Sequence, residues 1–253
     1  MILFLAGTSD SRIVAEMLQS AGVELELSVV STYGQMLAEA KGLSCRVGAL
    51  DDAGLVDWIK EHNCTAIVDG THPYAIAATQ TALKAAEQTG IPYLRLERKE
   101  ESLPEESWLY RVETMEDAAE KAFALGSCIF LTTGSRTLSV FKKAQTAESR
   151  LIARILPEPD GIGQARDLGF LPRDIIGMEG PFTKEMNEAL FINSLADVVV
   201  LKNSGKAGGT GEKLAACKAL GLKAVVVDRP RLALPNRYET GEELLEALKN
   251  LLK

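Results

Sequence analysis

The chain is poor in the residues that most often carry chemistry, with two histidines, four cysteines and 6% aromatic residues in 253 positions. Cys45, Cys64, Cys128 and Cys217 are scattered, with no C-x-x-C pair and no histidine at ligand spacing, so no metal is expected and the thiols read as structural ones in a reducing compartment. Positive charge is in deficit. A net charge of -7 lacks the basic footprint of a nucleic-acid binder and favours a small-molecule ligand. No apolar run approaches the roughly 20 residues that a membrane-spanning helix needs. The opening MILFLAGTSDSR has neither a basic leader nor a long apolar core, so it reads as a first strand, and the expected location is the cytoplasm. No protein partner is expected.

Apolar runs and helix-period segments alternate along the chain. ILFLA (2–6), LELSVV (25–30), TAIVDG (65–70) and IPYLRLE (91–97) read as strands, separated by helical spacing in SRIVAEMLQSAG, DDAGLVDWIKEHN and AIAATQTALKAAEQTG. Repeated βα units imply a parallel sheet covered by helices. The stretch RKEESLPEES (98–107) is charged, bears a proline and has little to bury, which marks a domain boundary. A second series follows, with strands at 127–135, 150–157, 174–180, 196–205 and 223–230, and helices at 114–125, 136–145, 160–168, 183–194 and 211–220. An amphipathic segment ends the chain. The expected fold is α/β, with two Rossmann-like lobes at 1–100 and 108–253, parallel sheets and the ligand in an interdomain cleft.

In open parallel sheets ligands gather beyond the carboxyl ends of the strands, so the loops there are the place to look. After the first strand come Gly7, Thr8, Ser9 and Asp10, a tight turn into a helix start whose N–H groups attract anions; Ser9 or Asp10 could equally be a helix cap. After the second strand stands Ser31-Thr32-Tyr33, with no acid where an NAD-specific unit places its ribose ligand. The third strand ends in DGTHPYA, which groups His72 and Tyr74 with Asp69 and Thr71. In the second half LTTGSRT supplies Thr133, Gly134, Ser135 and Arg136. ARILP places Arg154 near a strand end.

The stretch VVVLKNSGKAGGTGEKL (198–214) looks like a strand, a glycine-rich loop and a helix, yet it has neither the G-x-x-x-x-G-K-[ST] nor the G-x-G-x-x-G spacing. It offers Lys202, Asn203, Ser204, Gly205, Gly208, Gly209 and Lys213. Arg95, Arg136, Arg154, Lys202, Lys206, Lys213 and Arg229 all fall at or near expected strand ends. That distribution suits a local cationic site in an acidic protein, with solvated loop charge as the bland alternative.

In their order and spacing AGTSDSR, DGTHPYA, TTGS, GPFTKEMNEAL, LKNSGKAGGTGEKL and VVVDRP resemble the precorrin-6A reductases of corrin-ring biosynthesis, including the cobalt-precorrin-6A form, over nearly the whole chain. The resemblance implies two Rossmann-like domains, NADPH or NADH as cofactor, and a tetrapyrrole polycarboxylate in which one carbon–carbon double bond is saturated. It implies nucleotide binding by Gly7, Thr8, Ser9, Thr133, Gly134, Ser135 and the 203–213 loop, and substrate binding by Arg95, Arg136 and Arg154. Candidates for proton donation are His72, Tyr74, Lys202 and Asp10. For Lys202, electrostatic support of developing charge stands beside phosphate binding and plain surface exposure. The competing function is a dinucleotide-binding regulatory module without catalysis; a P-loop kinase is disfavoured by the failed spacing.

Overall fold

The computed structural model describes residues 1–97, 99–100 and 102–251. The chain divides into two compact units, one made of 1–99 with 230–253 and the other of 100–229.

In the first unit the elements run β1 (Ile2–Ala6), α1 (Ser9–Ser20), β2 (Leu25–Val29), α2 (Thr32–Glu39), β3 (Cys45–Val47), α3 (Asp52–Glu61), β4 (Ala66–Gly70), α4 (Ile76–Thr89) and β5 (Tyr93–Leu96). The second unit contains β6 (Leu109–Val112), α5 (Met115–Leu125), β7 (Cys128–Leu131), α6 (Leu138–Ala144), β8 (Arg150–Ile155), α7 (Pro159–Asp167), β9 (Ile175–Gly177), α8 (Lys184–Ser194), β10 (Val198–Lys202), α9 (Thr210–Leu220) and β11 (Lys223–Val227). The chain then returns to the first unit with β12 (Arg237–Tyr238) and α10 (Gly241–Leu251).

Each unit holds one sheet, ordered β12-β5-β4-β1-β2-β3 in the first and β6-β11-β10-β7-β8-β9 in the second, and the strand pairs are parallel. Strand pleating sorts the core. Ile2, Phe4, Leu27, Val68 and Leu94 face α1 and α10, while Leu3, Leu5 and Ile67 face α3 and α4. Burial on both faces explains why β1 reads as a continuous apolar run. In the second sheet Phe130, Ile152, Val199, Leu201 and Val226 pack with Phe191 of α8 and with Leu214, Ala216 and Cys217 of α9.

The two-lobe α/β architecture is as expected, and the extent of the second lobe is corrected. The expectation carried it to residue 253, but β12 pairs with β5, with Arg237 opposite Arg95 and Tyr238 opposite Leu96. Leu244 and Leu248 of α10 are fully buried in the core that contains Leu18, with Val14 and Met17 of α1 against it. The first unit offers α1 an apolar partner, and the amphipathic chain end supplies it. Short elements escaped the reading too: α2, β3, β6 and β12 span eight, three, four and two residues.

Candidate active site

Both sheets have a point where the chain's winding reverses. In the first, β1 leads outward through β2 to β3 while β4 leads the other way through β5, so the loops after β1 and β4 diverge and leave a crevice. In the second, β7 leads to β8 and β9 while β10 leads to β11, and the loops after β7 and β10 flank the crevice. Four of the motifs read from the sequence lie at these two crevices.

At the first crevice α1 starts under a capping box: Thr8 Oγ1 accepts from Ser11 N at 3.1 Å, and Ser11 Oγ accepts from Thr8 N at 3.0 Å. The cap is thus Thr8 and not Ser9 or Asp10. Ser9 is exposed, and its Oγ donates to Asp10 Oδ1 at 3.4 Å in the first turn of the helix. Gly7 abuts the other loop: a Cβ there would stand 3.3 Å from His72 N and 3.4 Å from Thr71 Cα. His72 and Tyr74 are half-buried, their rings 5.4 Å apart and tilted by 38°.

Arg95 does not fit the role of substrate ligand. It is 1% exposed, and its Nη1 pairs with Asp69 Oδ1 at 2.8 Å. The guanidinium also donates to Thr71 Oγ1 and to Thr71 O, each at 3.1 Å. Burial pushes the Asp69 carboxyl up, but the charge of Arg95 and the donors on Thr71 and Thr79 outweigh it and hold its pKa below the ordinary value. Tyr93, which donates to Asp69 Oδ2 at 2.8 Å, has its pKa raised by burial and then by the carboxylate.

The second crevice concentrates positive charge. Lys202, at the end of β10, reaches across to the β7 loop and donates from Nζ to Thr133 O at 2.7 Å. Burial, and then the nearby Arg136, push its pKa down to about 8. Lys213, in the first turn of α9, donates to Gly208 O. Its pKa is likewise pushed down to about 8, by burial and then by Arg154, with Glu212 opposing and Lys202 adding. Arg154, on β8, is 5% exposed; it donates to Asn187 Oδ1 at 2.8 Å and lies 4.1 Å from the centre of the Phe182 ring. Burial pushes its pKa down to about 10. Arg136 itself is exposed. Lys202, Lys213, Arg154 and Arg136 therefore sense one another electrostatically, and three of them pay in solvation for where they stand.

The loop between them is built for close approach. Gly205 and Gly209 have φ of +72° and +65°, and Gly208 packs so tightly on Ser204 that a Cβ would collide with the Ser204 Cβ. Asn203 and Ser204 are buried; Asn203 N donates to Val227 O at 3.0 Å and its Nδ2 to Glu100 Oε1 at 3.1 Å. On the facing loop Thr133 is buried and accepts from Thr137 Oγ1 at 2.8 Å, Gly134 has φ of +86°, and Ser135 begins a short 3-10 helix at 135–137. No side chain caps α9, whose cap position is Gly209. Its first-turn N–H groups, with Lys213 beside them, make an anion-attracting end, whereas α1 has a first-turn N–H taken up by Thr8.

Over residues 1–249 the sequence matches the family described as precorrin-6x reductase CbiJ/CobK. The chain belongs to that family. A cobalt-precorrin-6A reductase of Priestia megaterium is 39% identical over 252 residues, covering 99% of this chain and 98% of its own length. A precorrin-6A reductase of Rhodococcus erythropolis is 35% identical over 251 residues, covering 98% and 95%. The solved structure of CobK precorrin-6A reductase superposes with a TM-score of 0.78 at 26% identity over 99% of this chain and 96% of that one.

Several residues around the crevices are not legible in the sequence. Tyr93 and Thr79 complete the Asp69 carboxylate, and Phe182 stacks on Arg154. A signal for the first existed: in otherwise apolar strands, Asp69 on β4 and Arg95 on β5 fall at matched register, with Tyr93 two residues before Arg95 on the same face. Among the described residues no helix is long and apolar enough to cross a membrane.

Proposed function

We propose that this chain is a precorrin-6A or cobalt-precorrin-6A reductase of cobalamin biosynthesis, an oxidoreductase that saturates one carbon–carbon double bond of the macrocycle at the expense of NADPH or NADH. Beyond family membership, one observation carries the reading: buried Arg154 and half-buried Lys202 and Lys213 converge at the switch point of the second sheet. A polycarboxylate macrocycle and a pyrophosphate both need such a site, and an acidic protein can supply it only locally.

The donor set of the second crevice fits a dinucleotide. The uncapped start of α9, the positive-φ glycines of the 203–209 loop and Lys213 would hold its anionic part, with Thr133, Gly134 and Ser135 across the crevice; Gly7, Thr8 and Ser9 make a turn of the same kind in the first unit. When bound, the reduced nicotinamide supplies the hydride. Arg136 and Arg154 would meet substrate carboxylates. Lys202 Nζ, with a pKa of about 8, holds its proton at neutral pH and opposes negative charge that grows on the reduced unit. His72, Tyr74 and Asp10, at the first crevice, remain candidates for proton donation.

The residue after β2 offers a further reading. Val30 is exposed and Ser31 caps α2, so no carboxylate stands where an NAD-specific unit has one; if the adenosine ribose occupies this first crevice, NADPH is preferred over NADH. Titration of both nucleotides against the wild type, Lys213→Met and Arg154→Met separates the possibilities. A tenfold or greater loss in Lys213→Met is expected. Unchanged affinity in both variants would leave the second crevice to the substrate's carboxylates alone. Equal affinity for the two nucleotides would remove the first crevice as a 2′-phosphate reader.

A further inference from the structure

Both oxygens of the buried Asp69 carboxylate accept more than one hydrogen bond. Oδ1 accepts from Thr71 N at 3.0 Å, from Thr71 Oγ1 at 2.7 Å and from Arg95 Nη1 at 2.8 Å. Oδ2 accepts from Thr79 Oγ1 and Tyr93 OH, each at 2.8 Å. Five donors fill about four lone-pair sites, so no capacity is left for a ligand. A pair buried this deeply, 0% and 2% exposed in its side chains, is weak as a source of stability, because apolar residues of the same volume would do as well or better.

What the pair does instead is visible in where its bonds go. Thr79 Oγ1, on α4, bonds to both partners, but most of the bonds meet Thr71, the half-buried residue that leads into His72: its N and Oγ1 donate to Asp69, and its O and Oγ1 accept from Arg95. The turn after β1 seats on the same spot, since Gly7 approaches Thr71 Cα and His72 N. Two crevice loops are thereby fixed against each other through one residue.

We propose that Asp69 and Arg95 are positioning residues that clamp Thr71 and so hold His72-Pro73-Tyr74 in register with the Gly7 turn. The role rests on the reading of this crevice as part of the reductase site, and its test has an arm that does not. Thr71→Val keeps the shape but removes the hydroxyl that both partners use; Thr71→Ser restores it. Tyr93→Phe is the control, since it removes a donor from Asp69 Oδ2 without touching the loop. In Thr71→Val kcat falls about tenfold or more with the nucleotide KM within about threefold, because a misplaced loop spoils orientation more than ground-state binding. Thr71→Ser stays within about threefold, and Tyr93→Phe loses thermal stability at least as much as Thr71→Val while keeping kcat within about threefold.

The chain has two histidines, so its imidazole C–H spectrum is resolvable residue by residue. The His72 signal should move in Thr71→Val and stay in Thr71→Ser and Tyr93→Phe, with His62 unmoved throughout. That arm decides the clamp even for a protein that turns over neither macrocycle. An unmoved His72 signal in Thr71→Val, or activity that falls in step with melting temperature across all three variants, overturns the proposal.

Discussion

Lys202→Met separates catalytic charge from structural charge. In the folded protein the ammonium has its pKa pushed down from 10.5 to about 8, so keeping it protonated at neutral pH costs about 3 kcal/mol relative to the unfolded chain. That cost is net of the charged hydrogen bond to Thr133 O, which methionine also removes, so the melting temperature should not fall by more than a few degrees. Activity should not be spared. If the ammonium opposes charge that grows as the macrocycle is reduced, kcat falls by roughly 100-fold, with the nucleotide Kd little changed. With a pKa near 8, about nine in ten Lys202 side chains are charged at pH 7 and about one in ten at pH 9. The wild-type rate should therefore fall through pH 8 and the residual rate of the variant should not. The assay is kcat against pH for both proteins, with thermal melts alongside. A variant with weakened nucleotide binding and intact kcat would make Lys202 a phosphate ligand; unchanged binding and unchanged turnover would refute its place in the site.

Other expectations follow from the same geometry. Lys202 and Lys213 both have lowered folded pKa values, so the unfolded chain binds more protons between pH 8 and 10.5, and ligand-free stability should rise with pH in that window. Pyrophosphate should raise the melting temperature at pH 7 and lose that effect by pH 9.5, and an effect equal at both would mean that Lys213 does not bind it. Gly70→Ala drives a methyl group to 2.7 Å from Phe4 Cε1 and 2.9 Å from Ser11 Cβ, so urea unfolding should show a loss of about 1–3 kcal/mol, whereas an unchanged midpoint would contradict the packing of α1 on β4. Cleavage at Glu105 should yield fragments that co-elute under native conditions, because β12 and α10 complete the first unit; separate elution would contradict their placement.

The long elements were legible because their apolar residues are sorted by period. β1, β4, β8, β10 and β11 are buried strands, and the helices between them bury one face each. The chain end reads as an amphipathic helix, and it belongs to the first unit and not to the second. Amphipathicity says that Leu244 and Leu248 need a partner and not which one, and the pairing of β12 with β5 bridges more than 100 positions that local pattern does not connect. The crevice loops were legible as glycine, hydroxyl and cation clusters, and the sheet order brings them together in pairs. What a sequence position cannot disclose is the direction of a charge. Arg95 and Arg154 both stand near strand ends, yet Arg95 is neutralised by Asp69 across matched register while Arg154 is held by an amide and an aromatic face.

Reduction of a corrin precursor by a nicotinamide nucleotide can be measured directly. The most direct measurement is anaerobic oxidation of NADPH and of NADH by the wild-type protein, with precorrin-6A, with its cobalt form and with no macrocycle, read by loss of nicotinamide absorbance and by the mass of the tetrapyrrole. Nucleotide oxidation that requires the macrocycle and raises its mass by two hydrogens per nucleotide consumed is the predicted result. Tight nucleotide binding with no oxidation in the presence of either macrocycle would contradict the account and return the chain to a binding module.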